Sequence, residues 1–440
     1  MRWLPLLLLF SCRERQGPAP FDAGALPPKV AHVVVTGGPF FERAPRFVER
    51  WRTNEGWPKR ALVLSTGFSS ITNTDDALLE GAASASLFKA ADGAAFTAGP
   101  NDLALGAAAF AKQVEASGAA LLLSNVRANG LMAPTLVAFE REQVRFGVIG
   151  VSTLSKTDGA FEALPLEGAL KTTIATASAQ AQVVVVLVNG CSTVVRQVLE
   201  QHPDWKVDLV VAAPCEGTPD GRVGTATLLH PSPKQYASLR VEFGAVRSLS
   251  AQVVDVPAAA AEEPSMVKAR ATLQARVETL RSRTLVTLKE PADLDATTLM
   301  VATALKTLTK ADAGLFSRRS LTQGLPTTVT RDSVLRALPT YERVFLVDVP
   351  GEVLTKLVSH PDVFLSLPAK VDPNGSYVLA MTDSLYRSES PPGAPRTEHI
   401  GLEAVDANPV VADQLLPNAV MAFLETAPKD EALPQPKKRR

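Results

Sequence analysis

The sequence predicts an α/β protein with a larger layered N-terminal domain, a bridging helix and a smaller C-terminal α/β domain. Residues 183–188 and 207–213 are nearly continuous apolar, mostly β-branched runs, typical of strands buried on both faces of a mostly parallel sheet. Residues 192–202 between them carry apolar side chains at helical spacing, which completes a right-handed βαβ unit. Similar strands and amphipathic helices alternate from residue 30 onward, as in α/β domains.

Composition excludes several classes of function. The chain has 440 residues, with 46% hydrophobic and 20% charged, enough for two or three globular domains. Its 45 basic and 45 acidic residues balance, so no net field attracts a nucleic acid polymer. Five His and three Cys are few for an enzyme with two bound metal ions.

The N-terminus predicts export. Residues 1–12 form a signal with a short apolar run, too short to span a bilayer. Leu9-Phe10-Ser11-Cys12 resembles a bacterial lipobox, which implies a lipid on Cys12, a membrane anchor and a bacterial envelope location. The alternatives are ordinary signal cleavage near Ser11 and a wrongly assigned start codon. Residues 13–29 are Pro-rich and polar, as expected of a tether.

The N-terminal domain is expected at residues 30–256. Strands are predicted at 30–35, 61–65, 95–97, 121–125 and 144–151, and a hairpin arm at 136–141. Helices are predicted at 42–52, 75–90, 103–117 and 166–178, the second capped by Asp75 or Asp76. Residues 223–230, 237–243 and 249–254 alternate as antiparallel strands that close the domain.

A linker helix and a second domain follow. Residues 257–283 contain an Ala- and Pro-rich boundary and a bridging helix at 265–283, and the second domain covers 284–427. Helices are predicted at 295–309, 331–338 and 351–359, and strands at 314–316, 344–349 and 377–381. The charged tail 428–440 is expected to be disordered.

The loop order and one set of short motifs resemble a known family. The motifs are Ala311-Asp312, Gln323-Gly324-Leu325-Pro326, Ala337-Leu338-Pro339 and Asp348-Val349-Pro350-Gly351 with Leu354. Across residues 30–385 the chain resembles the secreted 5'-nucleotidase / UDP-sugar hydrolase family. The resemblance implies a calcineurin-like metallophosphoesterase domain and a C-terminal nucleotide-binding domain. In the family, two divalent metal ions activate water toward phosphorus.

The loops that would hold those metals have lost the family's ligands. The family's first two motifs, Asp-x-His and Gly-Asp, match Gly38-Pro39-Phe40 and Gly67-Phe68 of this chain. Its third motif, Gly-Asn-His-Glu, matches Gly99-Pro100-Asn101-Asp102. Asn189 stands where the family has a strand-ending His, and Ala213-Pro214-Cys215-Glu216 stands where it has Gly-His-x-His. None of the five histidines, His32, His202, His230, His360 and His399, stands at a matched position. We therefore expect no catalytic residue and no metal cofactor.

Two minor interpretations of this region stay open. Asn101, Asp102, Asn189 and Glu216 are weak oxygen-ligand candidates for Ca²⁺ or Mg²⁺, although loop capping is the favoured role. His230 follows one of the strands that close the N-terminal domain. It either faces the position of the family's metal site or, as we favour, lies at the surface or in a turn.

The second domain departs from the family in the same way. The family's Asn-x-Gly-x-x-Arg turn matches residues 317–322, where Arg318 and Arg319 are out of register. The two aromatic positions that would enclose the base are Thr340 and Ser384. Stacking worth about 1–3 kcal/mol per base is therefore lost.

Cys191 and Cys215 follow the two strands of the βαβ unit, in loops that reach one metal site in the resembling family. We expect a disulfide that joins these strand ends. The alternatives are two buried free thiols or, less favoured, a nucleophilic cysteine.

Three functions follow from these patterns. We favour an envelope-anchored, 5'-nucleotidase-like protein that has lost hydrolysis and acts by binding or scaffolding, with another envelope protein as a candidate partner. The second is an active phosphoester hydrolase with an oxygen-rich metal site. The third is a hydrolase that uses Ser65, Ser69 or Ser192, which lacks a His partner in the sequence pattern.

Overall fold

We describe the chain from a computed structural model. It describes residues 29–38, 40–54, 61–128, 130–131, 133–154, 160–215, 219–244, 246–360, 362–387 and 410–426. Within these ranges, no helix has the length and hydropathy that crossing a membrane requires. Three predicted features lie outside the described residues: the signal with Cys12, the tether apart from Lys29 at its end, and the C-terminal tail. Glu216 lies outside them as well.

The first part of the chain alternates strands and helices as the sequence predicts. In chain order the elements are β1 (Lys29–Thr36), α1 (Ala44–Asn54), β2 (Leu62–Ser65), α2 (Thr74–Leu78), α3 (Ala82–Ala90), β3 (Gly93–Thr97), α4 (Pro100–Leu103), α5 (Ala107–Ser117), β4 (Ala120–Leu122), β5 (Val126–Ala128), β6 (Leu136–Arg141), β7 (Val144–Ser152), β8 (Phe161–Ala163), α6 (Leu166–Gln180), β9 (Val183–Cys191), α7 (Thr193–Gln201), β10 (Leu209–Ala213), β11 (Gly221–Val223), β12 (Ala226–Leu229), β13 (Gln235–Phe243) and β14 (Arg247–Asp255).

Two six-stranded sheets pack face to face. Their strand orders are β14-β13-β1-β2-β3-β4 and β11-β12-β10-β9-β7-β6. In β9, Val185 and Leu187 point into the apolar layer between the sheets, while Val184 and Val186 point to the outer helical layer. Because successive side chains of a strand alternate faces, burial on both faces requires the continuous apolar run seen in the sequence.

The central βαβ unit is present. β9 pairs in parallel with β10 and with β7, and α7 connects β9 to β10. The carboxyl ends of β9 and β10 therefore lie side by side at one edge of the second sheet. The ends of β1, β2 and β3, which are also parallel, meet at an edge of the first sheet.

The second part of the chain builds a five-stranded sheet. Its elements are α8 (Pro264–Ser282), β15 (Thr284–Thr287), α9 (Leu294–Thr309), β16 (Ala313–Ser317), β17 (Thr328–Thr330), α10 (Arg331–Ala337), β18 (Glu342–Pro350), α11 (Gly351–Leu357), β19 (Val363–Ser366), β20 (Ser376–Thr382), α12 (Asp383–Arg387), β21 (Val410–Leu416) and α13 (Asn418–Thr426). The sheet order is β19-β16-β20-β18-β21, mostly antiparallel, and β15 pairs with β17 beside it.

Helix α8 joins the two parts. Val277 in α8 is fully buried, and one continuous apolar cluster includes residues from both sides of this helix. Arg281, near its end, forms ion pairs with Asp75 on α2 and with Asp332 on α10. The predicted fold class, with its bridging helix, is confirmed; the domain bounds 30–256 and 284–427 stay predictions.

Four details differ from the sequence prediction. The helix expected at 75–90 is two helices, because Glu80 and Gly81 adopt positive φ and end α2. Its cap is Asn73, whose Oδ1 accepts the N–H groups of Asp75 and Asp76, and not either of those acids. The helix expected at 103–117 is broken at Gly106, with a φ of 82°. β12 pairs antiparallel with β11, but it also lies parallel to β10, which the prediction of antiparallel strands alone does not include.

Candidate functional site

The loops after β2, β3 and β9 meet at one edge of the sandwich. We call residues 66–68, 99–102 and 189–191 the cup. These loops are the ones matched to the metal-holding loops of the resembling family, and hydrogen bonds join them across more than eighty residues of sequence. The arrangement of their side chains decides what the cup can bind.

The side chain of Asn189 occupies the centre of the cup. Its Nδ2 donates to the carbonyl of Thr66 at 2.7 Å and to Oδ2 of Asp102 at 3.2 Å. A Cβ atom on Gly67 would lie 2.0 Å from Nδ2, and one on Gly99 would lie 1.7 Å from Oδ1. The amide therefore fits only because both neighbours are glycine, and it fills the space between the loops.

Asp102 caps a loop from a fully buried position. Its Oδ1 accepts the backbone N–H of Ser70 at 3.1 Å and the Ser70 hydroxyl at 3.2 Å. Its Oδ2 accepts the N–H of Gly99 at 3.4 Å as well as Asn189. Burial raises the pKa of Asp102 above its usual value.

Of the oxygen-ligand candidates that the structure describes, Asn101, Asp102 and Asn189, only the last two are brought together. Asp102 and Asn189 are in contact, but both are engaged in hydrogen bonds within the protein. Asn101 is exposed on α4, and Glu216 lies outside the described residues. For Asp102 and Asn189, the geometry matches the loop-capping role that the sequence analysis favours.

Aromatic rings stand at two matched positions. Phe68, in the place of the bridging carboxylate, is fully buried and packs against Phe88 and Phe96 with centroids 5.4 and 5.0 Å apart. Phe40, in the place of the first motif's histidine, packs against Phe47 and Phe88. Both positions belong to the apolar core and offer no metal ligand.

A pair of divalent ions does not fit this donor set. The amide that fills the cup directs N–H groups at Asp102 and Thr66, whereas a metal ion requires free lone pairs. No imidazole stands at a described matched position. In the described part of the chain, no three or more His, Cys, Asp or Glu side chains are grouped to hold a metal.

A disulfide ties the two neighbouring strand ends. Cys191 and Cys215 are bonded, with their Cα atoms 5.5 Å apart, as the sequence analysis expects. Both residues are half-buried. The bond closes the loop that contains α7 and β10, so it constrains the carboxyl edge of the second sheet.

The expectation that Ser192 lacks a histidine partner is wrong. Its Oγ lies 2.8 Å from Nε2 of His230, and Nδ1 of His230 lies 3.1 Å from Oδ1 of Asp220. The sequence pattern does not reveal this triad, because the three residues meet only when β12 and β9 lie on either side of β10. Ser192 is nevertheless fully buried, whereas the Asp220 side chain is 48% exposed. The hydroxyl therefore lies at the buried end of the triad, whereas a nucleophile must be accessible to its substrate.

The other two serine candidates are also engaged locally. Ser65 bonds the N–H and the carbonyl of Gly67, and Ser69 adopts positive φ at the start of a short turn. No described hydrogen bond joins either to a histidine.

In the second part of the chain, one carboxylate joins the two positions matched to the base-stacking rings. Thr340 Oγ1 donates to Oε1 of Glu342 at 3.1 Å, and Ser384 donates to Oε2 through a short hydroxyl bond and through its N–H at 3.4 Å. Glu342 is buried. The next residue, Arg343, donates to the carbonyl of Pro100 at 3.0 Å, so this polar cluster lies next to the cup.

The two arginines of the matched turn are also paired. Arg318 forms an ion pair with Asp295 at 3.4 Å, and Arg319 one with Asp362 at 2.8 Å. These contacts hold the turn against α9 and the start of β19.

No family model matches the chain, and no curated protein matches it significantly. Solved structures do. The 5'-nucleotidase precursor from Thermus thermophilus aligns with 13% identity and a TM-score of 0.54, covering 90% of this chain and 96% of that one. The NAD nucleotidase of Haemophilus influenzae aligns with 10% identity and a TM-score of 0.57, covering 91% and 96%.

A Staphylococcus aureus protein assigned as a 5'-nucleotidase, with alpha-ketoglutarate bound, aligns with 11% identity and a TM-score of 0.58, over 92% of this chain and 98% of that one. At such identities the likeness shows architecture and carries no activity. Because it covers both parts of the chain, we conclude that the protein has the fold of the 5'-nucleotidases.

Proposed function

We propose that this chain is a degenerate member of the 5'-nucleotidase family that has lost metal-dependent phosphoester hydrolysis and acts by binding or scaffolding. The observation that carries the proposal is the Asn189 side chain, which occupies the centre of the cup and is held there by Thr66 and Asp102. A metal-bound water would need that volume, and it would need ligands where Phe40 and Phe68 now pack into the core.

The second part of the chain supports the same conclusion. The positions matched to the two stacking rings hold Thr340 and Ser384, whose hydroxyls are both bonded to Glu342. A buried acceptor already satisfied by two donors has little to offer a nucleobase, and stacking requires a ring. Loss of the metal ligands together with the base clamp favours lost catalysis over an error in matching one loop.

The alternative function is an active phosphoester hydrolase with an oxygen-rich metal site. It would have to use Asp102 and Asn189, the two candidates that are in contact. Those groups would first have to give up their hydrogen bonds to Ser70, Gly99 and Thr66. Because a metal ion would compete with these hydrogen bonds for the same atoms, we favour an active hydrolase less than the inactive protein.

We propose that the protein acts at the bacterial envelope, anchored through a lipid on Cys12, where its candidate partner is another envelope protein. The lipobox-like ending of the signal supports this location, and so does a disulfide, which persists in exported chains. In fractionated cells, the variant C12S should no longer be found in the membrane fraction. Retention of C12S in that fraction would count against the lipid anchor.

One assay tests the proposed loss of activity. The purified full chain is incubated with nucleoside 5'-monophosphates, UDP-glucose and p-nitrophenyl phosphate in the presence of Mn²⁺, Zn²⁺ or Mg²⁺, and its bound transition metals are measured by elemental analysis. We expect phosphate release equal to the protein-free rate. Metal-dependent turnover by protein with tightly bound transition metal would overturn the proposal and favour the alternative.

A further inference from the structure

The first sheet ends in a long exposed strand that no part of the proposed function uses. On one side β14 pairs with β13, and in the described part of the chain no strand pairs with its other side. Residues 247–250, the first four of the strand, are all exposed. An unpaired strand edge presents backbone donors and acceptors to which another strand can bind.

Alternate residues of β14 direct their backbone groups away from β13. The N–H of Val256, just after β14, donates to the carbonyl of Lys234 at 2.9 Å, and this pair continues the register of the two strands. Because hydrogen-bonded residues alternate along an antiparallel pair, the even-numbered residues of β14 bond to β13 and the odd-numbered residues point outward. Among the described residues, no hydrogen bond occupies the outward backbone groups. The outward residues are Arg247, Leu249, Ala251, Val253 and Asp255.

β14 lacks the features that keep most edge strands from pairing. Natural edge strands carry Pro or Lys, contain bulges or are very short. β14 has nine residues in unbroken register with β13, without Pro or Lys. The other edge strands of the three larger described sheets are shorter: β4 and β11 have three residues, β19 four, β6 six and β21 seven.

The sequence of β14 is complementary to a second copy of itself. When two copies run antiparallel about a twofold axis at Ala251, their outward backbone groups face each other. Arg247 then lies opposite Asp255 of the second copy, and Leu249 lies opposite Val253. Opposite charges and apolar side chains across neighbouring strands stabilise the pairing. Any other axis leaves one end of the strand unpaired and moves the two charges apart.

Both charged side chains can accept a second partner. Arg247 forms an ion pair with Asp208 at 2.6 Å, and its side chain is 36% exposed. A guanidinium has several N–H donors, so one carboxylate does not occupy them all. Asp255 is exposed, and its Oδ1 accepts Nε2 of Gln235 at 2.7 Å. Carboxylate oxygens have several lone pairs, so Asp255 can also bind an arginine.

We propose that β14 is a homodimerisation edge, at which two copies of this chain pair antiparallel and extend the first sheet across both. A contact limited to one strand belongs to the class of small interfaces, so the dimer forms reversibly. The proposal goes beyond the proposed function and does not depend on it. β13 and β1 separate β14 from β2, where the first loop of the cup begins.

Sedimentation equilibrium of the purified full chain tests the dimer. We expect the average mass to double as the protein concentration is raised about a thousandfold, because reversible association follows mass action. A mass that remains that of one chain at every concentration would overturn the proposal.

Two charge-reversal variants test the register. R247E and D255R each place like charges opposite each other in their own dimers, and each should dimerise at least about tenfold more weakly than the wild type. An equimolar mixture restores two opposite-charge pairs and should form a heterodimer as tight as the wild-type dimer. R145E is the control, because Arg145 is exposed on β7 in the second sheet, and it should dimerise like the wild type. A mixture that associates no more tightly than either variant alone would contradict the pairing.

The variant A251P tests the backbone contact separately. The N–H that proline lacks points outward, so the bonds to β13 are kept, and proline is tolerated on edge strands. We expect A251P to remain monomeric at concentrations where the wild type is dimeric. Dimerisation of A251P at wild-type strength would show that the dimer uses another surface. The charge variants and A251P are independent, so loss of folding in one leaves the other to decide.

Discussion

At the scale of single residues, the fit of Asn189 against Gly99 is the contact on which the cup depends. The backbone of Gly99 is extended, with φ −132°, so alanine there meets no backbone strain. Its Cβ would instead lie 1.7 Å from Asn189 Oδ1. We predict that G99A lowers the free energy of unfolding by about 2 kcal/mol, as overpacking does, in urea denaturation.

The double variant and a control show whether Asn189 is responsible. N189A alone leaves the Thr66 carbonyl without its Asn189 donor and removes one of the four donors to Asp102, which costs about 1–3 kcal/mol. Adding it to G99A should cost clearly less than the sum, because the clash is gone. G168A is the control, since nothing lies near a Cβ there. Additive losses in the double variant would show that Asn189 does not occupy the cup.

His32 gives a pH-dependent prediction that is separate from the cup. Burial first, and the Arg240 charge second, lower the pKa of His32 in the folded chain. The unfolded chain then binds the proton more readily, so stability present at neutral pH is lost as the pH falls below the ordinary value of about 6.5. We predict that H32Q loses less stability than the wild type between pH 7.5 and 5, measured by urea unfolding. Parallel losses in the two proteins would contradict this.

Some site residues are predictable from sequence and others are not. The Cys191–Cys215 pair follows from strand ends that a βαβ unit brings together. The absence of ligands at Phe40 and Phe68 follows from side-chain chemistry alone. The Ser192–His230 contact depends on the order of three strands, and the Glu342 contacts depend on side-chain directions. Neither quantity is encoded in local spacing.

At the scale of elements, the disulfide holds the ends of β9 and β10 together. The bond joins residues 24 positions apart in the sequence. Closing a loop of that length in the unfolded chain stabilises the folded state by about 3 kcal/mol. We predict that the C191S/C215S double variant loses about that much free energy of unfolding in urea. The wild type treated with reductant should lose a similar amount. A variant as stable as the oxidised wild type would show that the bond adds no constraint.

Long elements were predictable because their periodicity is strong. The apolar runs of β7 and β9 and the helix α6 appear at nearly the predicted residues. The breaks at Gly81 and Gly106 were missed, because apolar spacing continues through both and only the positive φ shows the turn. Short strands such as β15 and β17 have too few residues to display a period.

At the scale of the whole molecule, helix α8 couples the two parts of the chain. Arg281 contacts Asp75 on one side and Asp332 on the other, and Tyr341 is buried nearby. We predict that R281E, which places three carboxylates together, splits a single calorimetric unfolding transition into two. R276E is the control, because Arg276 is exposed on the same helix. A single transition in R281E would show that apolar packing alone couples the parts.

The fold and the chemistry of the site are separate questions at this scale. The sandwich and second sheet follow the 5'-nucleotidase architecture, whereas the cup holds an amide and core aromatics in place of metal ligands. Fold-level likeness therefore supports the architecture and leaves the activity to the site.

The most direct test of the central claim is an anomalous-scattering map from crystals of the protein soaked in Mn²⁺. The account predicts no anomalous peak between Asn189, Gly67 and Gly99, with the Asn189 amide still bonded to Thr66 and Asp102. Two peaks about 3.5–4 Å apart in the cup, with the Asn189 side chain displaced, would contradict it.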